Sequence, residues 1–302
     1  MAYVVPTKDR PDDLRKLLAS LAEQTVTPTQ IVIVDGSDPD IEWVCKDFPA
    51  LPLTYVREFP PSLARQRNAG MAALADDIDV AGYLDDDLEL AADATERMLA
   101  FWKAAGPQVG GAAFAIVNQP LRHPLLGFVS QFFLLNGPQQ GRLLPSGFAT
   151  SITPRAQTQR TDWLYGGATL WRRQVIREFS YDEWFIGHGY LEDVDYSHRV
   201  SRSYELYVVA EARCWHWPKP ILNAQNTNLG RQQVVNRVYF VRKLGGFSKP
   251  ALIWALFGQC VRNALEALKN GNTAGLYQLW GNIIGLADVV RGRTSSVEGI
   301  WK

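Results

Sequence analysis

Residues 80–88 read Val80-Ala-Gly-Tyr-Leu-Asp-Asp-Asp-Leu88, an apolar run that ends in three adjacent acids. A short apolar run of this kind predicts a buried strand over 80–84. Ligands of open α/β sheets bind outside the carboxyl ends of the strands, which is where these acids stand. Neighbouring carboxylates repel one another unless a hard cation such as Mg²⁺ or Mn²⁺ lies among their oxygens. The alternative is an acidic turn that caps the next helix, and only the surrounding motifs can separate the two.

The sequence before this stretch alternates apolar runs with helical patterns. Runs at 3–5, 31–34 and 53–56 predict three more strands. Residues 11–21 have proline in a first helical turn and leucines on one face, and residues 62–74 repeat the helical pattern. Alternating strands and helices are typical of an α/β sheet with crossover helices, so the pattern predicts a sheet of the nucleotide-binding type.

A second acidic motif and a histidine stand further along the chain. Residues 187–199 read Gly-His-Gly-Tyr-Leu-Glu-Asp-Val-Asp-Tyr-Ser-His-Arg and lead into a predicted helix. Acids in a first helical turn are favoured by the helix dipole, so Glu192 and Asp193 either cap this helix or face a cleft as general bases. His216 follows a predicted strand at 205–209. It is either a packed core residue or, if the acids hold a cation, a metal ligand.

Six motifs, in this order and with suitable spacing, resemble the family 2 glycosyltransferases of GT-A fold over roughly residues 2–245. They are Val4-Val-Pro-Thr-Lys-Asp-Arg-Pro, Ile33-Val-Asp-Gly-Ser, Ala64-Arg-Gln-Arg-Asn-Ala-Gly, Leu84-Asp-Asp-Asp, Tyr165-Gly-Gly-Ala-Thr-Leu-Trp-Arg-Arg and Leu191-Glu-Asp-Val-Asp-Tyr-Ser-His-Arg. The resemblance implies a GT-A type Rossmann-like nucleotide-binding domain with a mixed central sheet. One difference is that many members carry two acids before the Gly-Ser of the second motif, whereas this chain carries Asp35 alone.

The resemblance also implies an activity and a role for individual residues. The activity is the inverting, metal-dependent transfer of a sugar from a nucleoside-diphosphate sugar, UDP being the commonest choice, to a hydroxyl of a glycan or lipid-linked acceptor in surface polysaccharide or glycolipid synthesis. Asp193 looks like the catalytic base, and Glu192 would orient the base or the acceptor. The residues implied in donor binding are Pro6, Thr7, Asp9, Arg10, Asp35, Arg65, Asn68, Asp85, Asp86, Gly166 and Gly167, and those implied in binding Mn²⁺ or Mg²⁺ are Asp85, Asp87 and His216.

Tryptophans cluster near the later motifs. Flat aromatic faces are common sugar platforms, but tryptophan is also a routine core residue. We predict that Trp163 and Trp184 contribute to acceptor binding. The turn-forming, polar run at 137–160 predicts a long mobile loop that could close over a bound donor.

The C-terminal part has helical spacing and a basic balance. Residues 231–302 carry ten Lys or Arg against three Asp or Glu, a net charge of +7, and two apolar stripes at 252–268 and 276–290. These stripes predict amphipathic helices that lie on an anionic membrane surface, pack on the catalytic domain or join a second subunit in a homo-oligomer. We therefore predict a catalytic domain at 1–225, with a donor half at 1–118 and an acceptor half at 119–225, and a helical extension at 226–302.

Composition excludes several other classes of protein. The chain has 31 basic and 31 acidic residues, so its zero net charge argues against a nucleic-acid-coating protein. Its three cysteines are far apart, which favours a reducing compartment over a disulfide framework or zinc cluster. The predicted location is therefore the cytoplasm or the cytoplasmic face of the membrane. No GxGxxG follows the first strand, as a dehydrogenase would need, and no glycine-rich loop stands there for a nucleotidyltransferase. Two alternatives to a glycosyltransferase remain: a catalytically silent scaffold of a polysaccharide assembly complex that binds nucleotide sugars, and a nucleotidyltransferase, against which the missing glycines count.

Overall fold

The computed structural model describes residues 1–119, 124–153, 156–187, 189–219, 223–270 and 273–293. The chain divides into two compact units. Unit 1 comprises Met1–Gln119 and Thr153–Pro218, and unit 2 comprises Pro120–Ile152 and Lys219–Lys302. Residues 120–152 therefore cluster with the C-terminal helices, a grouping that the sequence pattern did not predict.

Strands and helices alternate along the first unit, and the second unit is helical. The strands of the described residues are β1 (Ala2–Thr7), β2 (Gln30–Asp35), β3 (Leu53–Arg57), β4 (Val80–Leu84), β5 (Leu88–Leu90), β6 (Val109–Ile116), β7 (Gln159–Thr161), β8 (Ala168–Arg172) and β9 (Glu205–His216). The helices are α1 (Pro11–Ala22), α2 (Leu63–Ala72), α3 (Ala94–Ala104), α4 (Pro124–Phe132), α5 (Arg173–Glu178), α6 (Glu192–Ser201), α7 (Asn223–Leu244), α8 (Lys249–Asn270) and α9 (Thr273–Val290), with a 3₁₀ turn at Glu42–Asp47.

The nine strands of the described residues form one mixed sheet, as the sequence predicted. Its order is β3-β2-β1-β4-β8-β6-β9-β5, and β7 pairs with β9. Strands β3, β2, β1 and β4 are parallel neighbours and correspond to the four apolar runs. Strands β1 and β4 are buried along their whole length, so their apolar runs pack on both faces of the sheet. The predicted helices at 11–21 and 62–74 are present as α1 and α2.

Strand β8 inserts antiparallel between β4 and β6, and this brings distant segments to one edge of the sheet. The register pairs Leu84 with Ala168, so the start of β8 lies at the carboxyl end of β4. Strand β6 is antiparallel to β8, and β9 is parallel to β6. The carboxyl end of β9 therefore reaches the same edge as the carboxyl ends of β1 and β4.

Strand β9 is longer than the predicted strand at 205–209. It continues to His216 through a register shift opposite Phe114 and Ala115. Beyond that shift Glu211 and Arg213 are exposed while Ala212 and Cys214 are buried. This alternation is typical of a half-buried strand, but the charged residues interrupt the apolar run that a sequence prediction relies on.

The segment predicted as a long loop at 137–160 contains local structure. An isolated β-bridge joins Leu143 and Ala149, and the backbone N–H of Arg142 donates to Thr150 Oγ1 at 2.7 Å. The last two residues of the segment begin β7. Residues 154 and 155 lie outside the described part, and closure over a donor stays a prediction.

Unit 2 contains α4 and the three long helices α7, α8 and α9. Helices α7 and α9 pack together, and α8 packs on both α9 and α4. The predicted apolar stripes fall on α8 and α9. Among the described residues, none of the helices has the length and apolar character that a membrane span requires.

Candidate active site

Asp86 joins the carboxyl ends of β1 and β4. These strands are parallel neighbours, so the turn after Thr7 and the acidic turn after Leu84 meet at one edge of the sheet. Thr7 Oγ1 donates to Asp86 Oδ2 at 2.8 Å, and Arg10 Nη1 donates to Asp86 Oδ1 at 3.1 Å. Burial raises the pKa of Asp86 to about 7, against the opposing charge of Arg10 and the hydrogen bond from Thr7.

Asp87 and His216 approach each other because β5 pairs with β9. The register sets Leu88 opposite His216, and Trp217 N donates to Asp87 O at 2.9 Å. His216 Nε2 lies 3.1 Å from Asp87 Oδ1, yet this buried oxygen accepts no hydrogen bond from the described residues. The nearby Asp87 carboxylate raises the pKa of His216, whereas burial opposes the rise. Burial also opposes ionisation of Asp87, but His216 and Arg10 outweigh it and lower the pKa of Asp87.

The Asp87–His216 pair fits a divalent cation of the Mg²⁺ or Mn²⁺ type. Two donor atoms about 2.1 Å from an octahedral ion and at right angles to each other lie about 3.0 Å apart. The 3.1 Å between Oδ1 and Nε2 matches that spacing, and carboxylate and imidazole are both ligands of such ions. Asn118 fixes the histidine backbone from both sides: its Nδ2 donates to His216 O at 2.8 Å, and its Oδ1 accepts from His216 N at 2.9 Å.

Asp85 does not complete a set of three ligands. Its side chain pairs with Arg67 Nη2 at 3.2 Å instead of turning toward Asp87 and His216. No group of three or more His, Cys, Asp or Glu side chains with metal-binding geometry occurs in the described part of the chain. The Asp85 carboxylate thus pairs with an arginine through one oxygen, and its role as a metal ligand stays a prediction.

Arg67 is the buried centre of the site, although nothing in the sequence pattern singled it out. The residue is 1% exposed, and its guanidinium contacts Glu192 Oε1 through Nη1 and Asp85 through Nη2. The rings of Tyr83 and Tyr181 lie 5.4 and 5.1 Å from its Cζ. Arginine is rarely buried unless it is paired, and here two acids from distant segments balance its charge. Arg67 thus links the acidic turn after β4 to the acidic start of α6.

Helix α6 begins where the sequence predicted, with Glu192 and Asp193 in its first turn. Its N-terminal neighbour Leu191 has a φ of 78°, a conformation that costs a non-glycine residue energy and turns the chain sharply into the helix. Glu192 is buried, whereas Asp193 is half-buried. Asp193 Oδ2 accepts from Gly166 N at 3.3 Å, and Oδ1 accepts from Val194 N at 2.8 Å.

Burial raises the pKa of both acids. Burial raises the pKa of Glu192, and the positive charge of Arg67 opposes that rise. The same two influences act on Asp193, whose pKa is raised as well. A carboxylate whose pKa is raised is a stronger base than an ordinary aspartate, and Asp193 is the more exposed of the two.

Gly166 and Gly167 allow the backbone to pass close to these charged groups. Asp85 N donates to Gly167 O at 2.8 Å. A Cβ on Gly167 would lie 1.8 Å from Asp85 Oδ2, and a Cβ on Gly166 would lie 2.5 Å from Arg67 Nη1. Only glycine leaves room at these two positions. Their predicted role beside the donor stays a prediction, but the structure gives them a second role in accommodating the Arg67 cluster.

Asp35 does not offer a free carboxylate to a base or ribose. It is fully buried at the end of β2. One oxygen accepts from the backbone and side chain of Ser37, and the other accepts from Ile41 N, Tyr55 and Arg57. Five donors therefore occupy both oxygens, and Asp35 holds the turn after β2. Its predicted contribution to donor binding stays a prediction.

Two other predicted donor residues, on α2, contact protein groups. Arg65 donates to Pro60 O and lies 3.5 Å from Glu58. Asn68 exchanges hydrogen bonds with the backbone of Tyr181, donating to its O at 3.0 Å and accepting from its N at 2.9 Å. Asn68 therefore ties α2 to the segment that leads into α6.

The remaining predicted residues lie around the same edge or close to it in sequence. Pro6 is buried in β1, and Asp9 is exposed with a φ of 56° and donates its backbone N–H to Ser37 Oγ at 2.7 Å. Trp163 is half-buried and packs edge-to-face on Tyr165 at 5.4 Å. Trp184 is half-buried against Phe185. Neither tryptophan is fully buried in the core, so the predicted acceptor contacts remain open to test.

Comparison with known proteins identifies a family and a shared fold. The sequence profile of Glycosyl transferase family 2 matches residues 3–177, more than half of the chain. Among solved structures, the mannosyltransferase PcManGT from Pyrobaculum calidifontis, in complex with GDP-Man and Mn²⁺, is similar with a TM-score of 0.58 and 16% identity over 95% of this chain and 87% of that chain. S. aureus TarS 1-349 in complex with UDP-GlcNAc is similar with a TM-score of 0.53 and 12% identity over 96% of this chain and 91% of that chain. Curated protein sequences give no match.

The fold is of the GT-A type, with the acids at the carboxyl edge of a mixed sheet. The chain belongs to glycosyl transferase family 2. The solved relatives share less than 25% of their residues with it, so they establish the shared fold alone.

Proposed function

We propose that the chain is an inverting, metal-dependent glycosyltransferase that moves a sugar from a nucleoside-diphosphate sugar to an acceptor hydroxyl. The observation that carries this proposal is the convergence of two acidic segments on one sheet edge, where Arg67 binds Asp85 from one and Glu192 from the other. One segment offers groups suited to a metal and a diphosphate. The other offers a carboxylate suited to proton removal.

The donor side rests on Arg10, Asp86, Asp87 and His216. Arg10 reaches both Asp86 and Asp87 at 3.1 and 3.2 Å, which leaves it near the position where a diphosphate would bind. Asp87 and His216 would hold Mn²⁺ or Mg²⁺, which when bound stabilises negative charge on the leaving diphosphate. The solved complexes of PcManGT with GDP-Man and Mn²⁺ and of TarS with UDP-GlcNAc support a donor of this class.

Asp193 is the proposed base. It accepts the proton of the acceptor hydroxyl while that oxygen bonds to the anomeric carbon from the face opposite the diphosphate. The bond between the anomeric carbon and the diphosphate oxygen breaks in the same displacement, and its electron pair leaves with the diphosphate. Glu192 is held by Arg67 and orients the turn that carries Asp193. A glycan or lipid-linked hydroxyl is the proposed acceptor, with Trp163 and Trp184 as candidate sugar platforms.

A thermal-shift panel tests the donor site. Wild type and Asp87→Ala are melted with UDP, GDP, dTDP and CMP, each with and without Mn²⁺ or Mg²⁺. A ligand that binds only the folded chain stabilises it by about 2.7 kcal/mol at a hundredfold excess over its dissociation constant. We expect one nucleoside diphosphate to raise the melting temperature of wild type in the presence of metal, and Asp87→Ala to lose that shift.

Two other results of the panel would contradict the proposed donor site. A shift that survives in Asp87→Ala would remove Asp87 from the metal site. No shift with any nucleotide would contradict the proposed donor class.

Asn118→Ala tests the support of the metal site. Removal of its two hydrogen bonds releases the backbone of His216, so we expect Mn²⁺ affinity in the presence of the nucleotide to fall by about 10–100-fold. Calorimetric titration of Mn²⁺ measures this change. Gln119→Ala is the matched control, because Gln119 is the next residue and donates to Tyr165 Oη at 2.6 Å without touching His216. Equal Mn²⁺ affinity in the two variants would contradict a supporting role for Asn118.

A further inference from the structure

Helix α9 exposes its large apolar side chains and buries small and polar residues, the opposite of a helix on the surface of a soluble domain. Such a helix normally turns its large apolar side chains inward. The buried residues of α9 are Gly275, Gly281, Asn282 and Gly285. Its large apolar side chains point outward: Leu276, Trp280, Ile283 and Val290 are 57%, 58%, 47% and 87% exposed.

Glycines on α9 allow close packing on its neighbours. A Cβ on Gly281 would lie 2.0 Å from Thr227 O of α7, and a Cβ on Gly275 would lie 2.8 Å from Asn263 O of α8. A Cβ on Gly230 of α7 would in turn lie 2.1 Å from Gln278 O of α9. Small residues at helix contacts are typical of helices that pack in a lipid environment, where apolar side chains gain nothing by facing one another.

Amide side chains join the three helices in the interior of unit 2. Asn263 Nδ2 donates to Asn282 Oδ1 at 2.7 Å, and Asn282 Nδ2 donates to Gly230 O at 2.7 Å and to Gln233 Oε1 at 3.0 Å. Asn263 and Asn282 are 1% and 0% exposed. Hydrogen bonds therefore hold α8 and α9 to α7 at a place where a water-soluble bundle would use leucine or valine.

Helices α4 and α8 carry a second exposed apolar set. Trp254 contacts the ring of Phe132 at 5.4 Å and that of Phe257 at 6.2 Å, and Phe132 stacks with Phe128 at 6.5 Å. Phe128, Phe132 and Phe257 are more than half exposed. Contiguous apolar surface of this kind marks an interaction site.

The net charge of unit 2 indicates which kind of partner its exposed apolar surface binds. Its sequence carries thirteen Lys or Arg against three Asp or Glu, a net charge of +10. Because the net charge of the whole chain is zero, that of unit 1 is −10. A second copy of this chain would bring two strongly positive units together. An anionic surface would be attracted to both the charge and the apolar side chains.

We propose that unit 2 binds the surface of a lipid bilayer that contains anionic headgroups, with the exposed apolar side chains of α4, α8 and α9 at the boundary between headgroups and acyl chains. Tryptophan favours that boundary, and Trp254 and Trp280 both stand on the exposed faces. The proposal rests on residues of unit 2 alone and does not depend on catalysis.

Vesicle flotation of the full chain tests the proposal. The variants are a triple substitution, Ile253→Gln, Phe257→Gln and Trp280→Gln, and a control pair, Trp43→Gln and Phe59→Gln, which removes similarly exposed apolar side chains from unit 1. We expect wild type and the control to float with vesicles of phosphatidylcholine and phosphatidylglycerol but weakly with phosphatidylcholine alone. The triple variant should bind the anionic vesicles at least about tenfold less.

A second measurement reads the position of the two tryptophans directly. Brominated lipids in the vesicles should quench the fluorescence of wild type more than that of a variant with Trp254→Phe and Trp280→Phe. Circular dichroism melting of each variant shows whether it has kept its fold.

Three outcomes would overturn the proposal. The first is that wild type does not float with anionic vesicles, and the second is that a folded triple variant floats as well as wild type. The third is that no flotation occurs, wild type sediments as a dimer without lipid, and the triple variant sediments as a monomer. The last would assign the apolar surface to a second copy of the chain.

Discussion

Asp193→Asn is expected to lower the rate constant of sugar transfer by about 10²–10⁴-fold, the usual contribution of a general base. The amide keeps the size of the side chain, and its oxygen can still accept from one of the two backbone N–H groups that Asp193 binds, those of Gly166 and Val194. What it loses is the capacity to take a proton. Donor binding should therefore be unchanged, and a thermal shift with the nucleotide found to bind wild type measures that.

The pH dependence of Asp193→Asn gives an independent readout. Burial raises the pKa of Asp193, so wild-type activity should fall as pH drops through that raised value and the base becomes protonated. Asp193→Asn should lack this acid limb. Glu183→Gln is the control, since it replaces an exposed acid on the segment before α6. Near wild-type transfer by Asp193→Asn would show that another group is the base.

Arg67→Met is expected to lower the free energy of unfolding by about 3–5 kcal/mol, because it leaves Glu192 buried without its partner. Methionine keeps most of the volume, so the effect reports the lost charge and hydrogen bonds more than a cavity. Urea unfolding followed by tryptophan fluorescence measures it. Arg65→Met on the same helix is the control, and as a partly exposed arginine it should cost less than about 1 kcal/mol.

The destabilisation of Arg67→Met should shrink at low pH. Without the positive charge that opposes burial, the pKa of Glu192 rises further in the folded variant. The folded variant then binds a proton more tightly than the unfolded chain, so protonation stabilises it as pH falls. We expect the difference from wild type to be smaller at about pH 5.5 than at about pH 8. An Arg67→Met variant as stable as Arg65→Met would contradict the central role of Arg67.

Local patterns predicted the first half of the sheet and the acids at its edge. Each of the strands β1–β4 contains a short apolar run, buried in β1, β2 and β4 and half-buried in β3. The carboxyl ends of such strands are where ligands bind. The position of His216 followed from the family resemblance. Its contact with Asp87 depends on the β5–β9 register, which no local pattern specifies.

Arg67 could not be predicted from local sequence. An arginine in a helix with a polar neighbour on each side is expected at the surface, and its burial depends on Glu192, which lies 125 residues away. The same reason explains why the partners of Asp35 and Asp85 could not be predicted. Both are acids at strand ends, as predicted, but arginine, tyrosine and backbone donors from other segments occupy their oxygens.

The place of β8 in the sheet has a consequence for the chain during synthesis. Strands β1–β4 emerge from the ribosome first. The second neighbour of β4 is β8, whose first residue, Ala168, is synthesised 84 residues after Leu84. At about 5–20 residues per second this takes roughly 4–17 s. During that interval the nascent sheet exposes an unpaired, apolar edge, the kind of edge that recruits other chains. Slow translation between residues 85 and 168 should therefore increase aggregation of the newborn protein, whereas the same delay after residue 172 should not.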